Sequence, residues 1–473
     1  MSEKMHQSED IMKHASQKPK IYCPSMWKSI HVDVDGYLTP CCMFIHGADK
    51  KTRIEDIEEG KTIEHVLLDE FQEYRDMLSE GKWPRGCNQC EFAEKEGRSS
   101  KRIQDMGWNN MRNHDGNLAY LTEPTNVALE YLQLKTGRLC NLECTICTPT
   151  CSTKIATRHY KQGKIDKETY DKLQAEIQWA TNLDQLKKMN SQYYRIDIAG
   201  GEPLMNKEHF QWLKQLPQES KAKTQLLYNT NGTQRPTDEE IEIWKDFKGV
   251  WVTFSIDSAY KKFEMLRVNA KWDEVIENIR YVTNEVVRNK LGHQTSNGYT
   301  NTAIVMTVHA GNVTDMMDLY DATKHLDWVQ RDYINYNYLY YPESMAMHNM
   351  SKDNLKKAID YYNDNIERLP HGKMYDEAIN IRKSMEGFLE KRYKDEHRDI
   401  GPDAREEINL EEEIKEGYNR KVKRNFVKQK NRNRNIVAID VSKLEIEIPS
   451  LEVTPKNSPR SSIDESSTLH GTK

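Results

Sequence analysis

The order of strand-like and helix-like segments predicts an α/β chain: a partial (β/α)6 barrel with a small cysteine-rich α+β domain in front and a helical, then disordered, extension behind. Three observations carry this. From residue 126 onward, short apolar runs suited to strands alternate with segments whose apolar residues recur at helical spacing. Six such units require parallel strands joined by right-handed crossovers. The residues with chemistry to offer fall at the carboxyl ends of those strands, where the sites of such barrels lie.

Residues 1–20 are polar and aperiodic, and read as a disordered lead without the apolar stretch of a secretory signal. A cysteine-rich domain is expected over 21–118. There His31 to Val34 alternate toward Asp35-Gly36, a hairpin signal, and Tyr37 to Thr39 return to Cys41 and Cys42. Residues 54–78 read as a helix, with Ile63, Val66, Leu67, Phe71 and Tyr74 on one face. Trp83-Pro84 ends it, and Cys87 and Cys90 follow with two residues between them.

The barrel is expected over 119–345, with strands at 126–134, 194–198, 225–228, 250–256, 302–308 and 332–339. The first is followed by four cysteines, Cys140, Cys144, Cys147 and Cys151, and then by a polar helical region at 154–189. The second ends in Ala199-Gly200-Gly201-Glu202-Pro203, the third in Asn229-Thr230-Asn231-Gly232, and the fourth in Ser255-Ile256-Asp257. Helices are expected at 205–216, 238–247, from Trp272 through Ile279, and at 312–325. Beyond it, 346–402 reads as a helical extension, with helices at 353–367 and 374–393, and 403–473 as a charged and then disordered tail.

At 473 residues the chain has room for two domains and a sizeable core. A net charge of −5 argues for no partner by itself. No run approaches the roughly eighteen apolar residues of a membrane helix. Nine cysteines without a secretory signal point to metal rather than disulfides, and to a reducing, cytoplasmic compartment. Residues 420–434 hold eight basic side chains and no acidic one, a run that can engage nucleic acid but is more often a solvated tail.

Three residues separate Cys140 from Cys144 and two separate Cys144 from Cys147. A loop of that length can turn three sulfurs toward one iron–sulfur cubane and leave one iron open. This cysteine loop after a first strand, with Gly200-Gly201-Glu202-Pro203 after a second, resembles the radical S-adenosylmethionine (radical SAM) enzymes. The resemblance implies a [4Fe–4S] cluster on Cys140, Cys144 and Cys147, whose open iron chelates SAM. It further implies reductive cleavage of SAM to a 5′-deoxyadenosyl radical and an external electron donor of the flavodoxin or ferredoxin type. By the same resemblance Gly200, Gly201, Glu202 and Pro203 face the SAM amino group, and Ile146 stands where the family carries an aromatic residue near adenine. Asn229, Ser255, Asp257 and Arg267 are the further SAM-binding candidates. Arg267 is open to a second reading, as a surface arginine opposite Glu264 or Asp273. Asp257, His309 and Cys42 are candidates for a general base. With Cys151 included, the loop could instead form an ordinary four-thiolate site, zinc or ferredoxin-like.

Cys23, the hairpin, Cys41 and the Cys87/Cys90 knuckle resemble the SPASM or shorter twitch domain of radical SAM enzymes, placed before the barrel instead of after it. That resemblance implies a second, auxiliary [4Fe–4S] cluster on Cys23, Cys41, Cys87 and Cys90, and a peptide or protein substrate. A zinc knuckle is the competing reading, with Cys42 left over as a substitute ligand or a buried thiol. Two other functions stay open: RNA modification, suggested by the basic run, and a non-catalytic iron–sulfur or zinc protein.

Overall fold

The computed structural model describes residues 19–44, 52–57, 61–95, 100–112, 127–175, 193–291, 294–295, 298–299, 302–326, 328 and 333–396. The expected disordered lead before residue 19, the end of the polar helical region at 176–189, and the tail with its basic run at 420–434 lie outside the described residues.

One sheet organises what is described. In chain order the strands are β1 Ser29–Val32, β2 Leu38–Thr39, β3 Tyr131–Lys135, β4 Glu143–Cys144, β5 Arg195–Ala199, β6 Gln225–Thr230, β7 Gly249–Ser255 and β8 Arg267–Val268. They are followed by β9 Gln294–Thr295, β10 Gly298–Tyr299, β11 Thr302–Val308 and β12 Ile334–Tyr338. The large sheet runs β12-β11-β7-β6-β5-β3-β1-β2. From β3 to β12 its neighbours are all parallel, and these are the six expected barrel strands. β4 and β8 form a separate antiparallel pair, as do β9 and β10.

The alternation of side chains explains the layering. Leu132, Leu134, Ile196, Ile198, Leu226, Tyr228, Val250, Val252, Phe254, Ile304, Met306 and Val308 occupy one face of the sheet and are all buried. Helices cover that face. Trp272–Arg288 buries Val275, Ile279, Val282 and Val286, one stripe at helical spacing. Helix Asp238–Lys245 starts at a reciprocal cap between Thr237 and Glu240. The other face of the first strands is polar: Tyr131 donates to Asp197 at 2.5 Å, Arg195 pairs with the same carboxylate, and Gln133 donates to Ser29 at 2.9 Å.

Two expectations change. The helix expected over 54–78 is broken into a turn at Ile54–Asp56, short helical pieces at Ile63–His65 and Val66–Glu70, and a regular helix only at Gln72–Ser79. Arg75 accounts for part of this, since its buried guanidinium donates to the carbonyls of Leu67, Leu68 and Met26. The second change concerns the N-terminal hairpin. It does not stand apart from the barrel: β1 adds to the sheet edge parallel to β3, with Ser29 opposite Tyr131 and Val32 opposite Leu134. Helices Lys352–Asn365 and Lys373–Glu396 pack together, and Lys373 and Ser384 of the second reach Asn335 and Tyr338 of β12. Among the described residues no helix is long and apolar enough to cross a membrane.

Candidate functional site

The loop after β3 is held from three sides. Gly201 N–H donates to the Gly137 carbonyl at 2.8 Å and Glu202 N–H to the Leu139 carbonyl at 2.7 Å, so the Gly-Gly-Glu segment runs as a short ladder against the cysteine loop. The two glycines have a sharper reason here than approach to a ligand. A Cβ on Gly201 would lie 2.3 Å from the Leu139 oxygen, and one on Gly200 would lie 2.9 Å from the Gly137 oxygen, with Gly200 at φ +149°. Glu202 is buried. Its carboxylate accepts from Leu204 N–H at 3.0 Å, Thr230 Oγ1 at 2.7 Å and Asn231 N–H at 2.7 Å, tying β5 to the end of β6. Burial pushes its pKa up against those donors.

The second side is the N-terminal hairpin. Arg138, only 1% exposed, donates to the Thr150 carbonyl at 2.9 Å and the Val34 carbonyl at 3.3 Å, and pairs with Asp35 in the hairpin turn. One guanidinium thus clamps the cysteine loop to a turn about a hundred residues earlier, using the fork geometry that lysine lacks. Arg138→Met should cost about 3 kcal/mol of stability, the scale for removing one partner of a buried pair. Urea unfolding of the metal-loaded chain measures it.

The third side is β8. Arg267 pairs with Cys144 in the β4–β8 bridge, meets Asp257 at 2.8 Å, and places Nη1 3.9 Å from the Cys144 sulfur. Both partners are buried, so the surface reading of Arg267 is overturned. Glu264 is engaged elsewhere, by Lys261, Lys271 and the Trp272 N–H. Asn231, which sequence reasoning passed over for Asn229, points its Nδ2 at the Cys140 sulfur (3.8 Å) and at Asn141 Oδ1 (3.1 Å). The signal was available. β6 runs to Thr230, two residues further than expected, and Asn231 shares the parity of Asn229. Asn229, Ser255 and Ile146 are half-buried.

N–H groups therefore face two of the loop sulfurs, from Leu142 and Asn231 onto Cys140 and from Arg267 onto Cys144, which suits anionic, metal-bound thiolates. Burial pushes the Cys144 thiol up to about 11, so it ionises at neutral pH only as a metal displaces its proton. Cys147 stands beside Cys151, which is exposed.

Cys23, Cys41, Cys87 and Cys90 line one cavity together with Lys101, Arg102 and Asp105. Burial, the largest cause, and the nearby Asp105 and Cys90 push Cys23 up to about 12. Cys42 does not line the cavity, and it is exposed, not buried. Among the described residues no three Cys, His, Asp or Glu side chains converge on a point as they would around a single ion. The site lies at the amino end of β1 and β3, and the loop of Cys140 at the carboxyl end.

With that geometry in place, the comparisons with known proteins converge. A family model described as the radical SAM superfamily matches residues 134–309, and one described as an iron–sulfur cluster-binding SPASM domain matches residues 23–91. Residues 134–309 thus carry a radical SAM domain, preceded at residues 23–91 by an iron–sulfur cluster-binding SPASM domain, and these domains imply iron–sulfur and SAM binding. No curated protein matches it in sequence. Solved structures similar to it include native anSMEcpe with bound AdoMet and Cp18Cys peptide (16% identity, TM-score 0.31, covering 50% of this chain and 60% of that one). SuiB of Streptococcus suis bound to SAM is another (15% identity, TM-score 0.28, 72% and 67%). TYW1 with a lysine–pyruvate adduct is a third (13% identity, TM-score 0.27, 50% and 74%). The match thus spans about 60% of the anSMEcpe chain.

Proposed function

We propose that the chain modifies a peptide or protein side chain, using SAM bound beside a [4Fe–4S] cluster on Cys140, Cys144 and Cys147, with a second [4Fe–4S] cluster on Cys23, Cys41, Cys87 and Cys90. When bound, cluster and SAM supply a 5′-deoxyadenosyl radical, the hydrogen-abstracting species of the superfamily. The observation that supports this most is the set of N–H donors converging on the Cys140 and Cys144 sulfurs from β6 and β8.

The chain's own groups have separable tasks. Gly201 and Glu202 fix the loop, so that the three thiols hold one orientation. Arg267 offers a guanidinium between a loop sulfur and Asp257, a place where a carboxylate would gain two parallel hydrogen bonds. Asp257 accepts from the Thr307 N–H at 2.9 Å and is thereby fixed to β11. The polar face of β3 and β5 lies between the two cysteine sites, and Lys101 reaches from the N-terminal cavity over the Tyr131 ring at 5.4 Å. The SPASM domain supports the peptide or protein class of substrate.

Anaerobically reconstituted chain, given SAM and dithionite, is expected to release 5′-deoxyadenosine. Mass spectrometry of co-purifying peptides and RNA, followed by assays of both at two salt concentrations, separates the substrate classes. Turnover of RNA alone, lost steeply as salt rises and abolished by removing residues 403–473, would overturn the peptide reading.

A further inference from the structure

Helix Lys101–Arg112 begins at the wall of the N-terminal cysteine cavity. Ser100 caps it, accepting from the Ile103 N–H at 3.2 Å. Lys101, Arg102 and Asp105, from its first two turns, line the same cavity as Cys23, Cys41, Cys87 and Cys90. The two cations are not equivalent. Arg102 is committed to protein groups: it forks onto the Glu94 carboxylate, donates to the Tyr22 carbonyl at 2.8 Å and lies 5.7 Å from the centre of the Trp83 ring.

Lys101 is not so committed. Its side chain is 18% exposed, and an ammonium has three N–H donors. Among the described residues it meets one hydrogen-bond acceptor, Asp105, and the face of the Tyr131 ring at 5.4 Å. Asp105 is buried and is fixed in turn by the Ser25 hydroxyl, which donates to it at 2.7 Å. The ammonium is therefore held at the cavity wall, where its charge acts on the Cys41 and Cys90 sulfurs.

A mostly buried ammonium with a donor to spare calls for an acceptor, and this cavity offers sulfur. We propose that Lys101 donates a hydrogen bond to a sulfur of the [4Fe–4S] cluster held by Cys23, Cys41, Cys87 and Cys90, and thereby raises the reduction potential of that cluster. This rests on the two-cluster reading. Four thiolates make such a cluster an anion, and its reduction adds one electron and moves no proton. The added negative charge lies beside a fixed cation inside the protein, where charges interact far more strongly than in water. Net charge and hydrogen bonds to sulfur are what set the potentials of these clusters. The same ammonium lies over Tyr131, whose hydroxyl donates to Asp197, so the cation also joins the cavity to the polar face of β3 and β5.

The measurement uses the full chain with Cys140, Cys144 and Cys147 changed to alanine, so that only the N-terminal site can hold a cluster. After anaerobic reconstitution, a dithionite titration followed by EPR gives its midpoint potential. Lys101→Met together with Asp105→Asn removes both charges of the pair. The ratio of reduced to oxidised cluster at a fixed potential should then fall about tenfold, which is about 59 mV for one electron. Asp105→Asn alone keeps the cation and should not lower the potential. An unchanged potential in the double variant, or the same fall in Asp105→Asn alone, overturns the inference. Should the double variant lose its iron, the chain that keeps Lys101 decides. Grown with lysine carrying ¹⁵N at Nζ, its reduced cluster should show magnetic coupling to a lysine nitrogen, since Lys101 is the lysine that lines the cavity. Absence of that coupling overturns the inference. Zinc or no iron in the alanine chain overturns the two-cluster reading instead.

Discussion

Changing Cys140, Cys144 and Cys147 together to alanine should abolish 5′-deoxyadenosine formation and leave about four irons per chain in the N-terminal cavity. Cys151→Ala should keep both. The physical grounds differ between the two sites. The loop thiols have donors aimed at two of their sulfurs, and Cys151 is exposed beside them. The four N-terminal thiols share one cavity with Lys101, Arg102 and Asp105. Iron analysis and EPR of the triple variant decide. Loss of the cluster in Cys151→Ala as complete as in Cys144→Ala would establish a four-thiolate loop. One equivalent of zinc and no iron in the triple variant would make the N-terminal site structural.

Gly201→Ala should be nearly as severe, although it removes no ligand. The added carbon meets the Leu139 oxygen at 2.3 Å and the Arg138 backbone at 2.7 Å, and both belong to main chain that cannot swing aside. The Gly-Gly-Glu ladder and the cysteine loop must part. The loss should exceed the 0.5–3 kcal/mol or so of an ordinary substitution. Iron retention of the reconstituted variant after gel filtration, compared with Gly163→Ala, measures it. Gly163 has open space around its missing Cβ and a positive φ, so it controls for backbone strain alone. Equal iron in the two variants would remove close approach as the reason for the Gly-Gly pair.

Strand order and the cysteine loop were legible in the sequence because periodicity and spacing are local. Residues 302–308 were expected as a strand and form one with the same bounds, and the hairpin at Asp35-Gly36 returns where its turn signal put it. What escaped depends on partners distant in sequence. Arg267 gives no sign in its own neighbourhood that Asp257 waits across the strand end, and Arg138 gives none that its carboxylate lies in the N-terminal turn. The broken helix at 54–78 is the same lesson. Its apolar spacing is real, but a buried arginine takes the carbonyls of Leu67 and Leu68. The resemblance set Gly200 and Gly201 toward SAM, and the structure adds a contact that no local pattern signals, with the backbone of the cysteine loop itself.

The parallel pairing of β1 with β3 has a consequence for how the chain is made and how it can be cut. Ser29 must wait for Tyr131, so during synthesis the β1–β2 hairpin stays open on its β3 side until about a hundred more residues have emerged. The sheet edge therefore closes late, a long-range step of the kind that slows folding. In reverse, removing the SPASM domain does more than take away a cofactor site. It strips β3 of its neighbour on the side away from β5 and leaves a row of bare amides and carbonyls along that edge, a template for strand addition by another copy. The N-terminal domain is thus also the chain's guard against self-association, and a truncated barrel that aggregates would report that lost role before it reported anything about electrons.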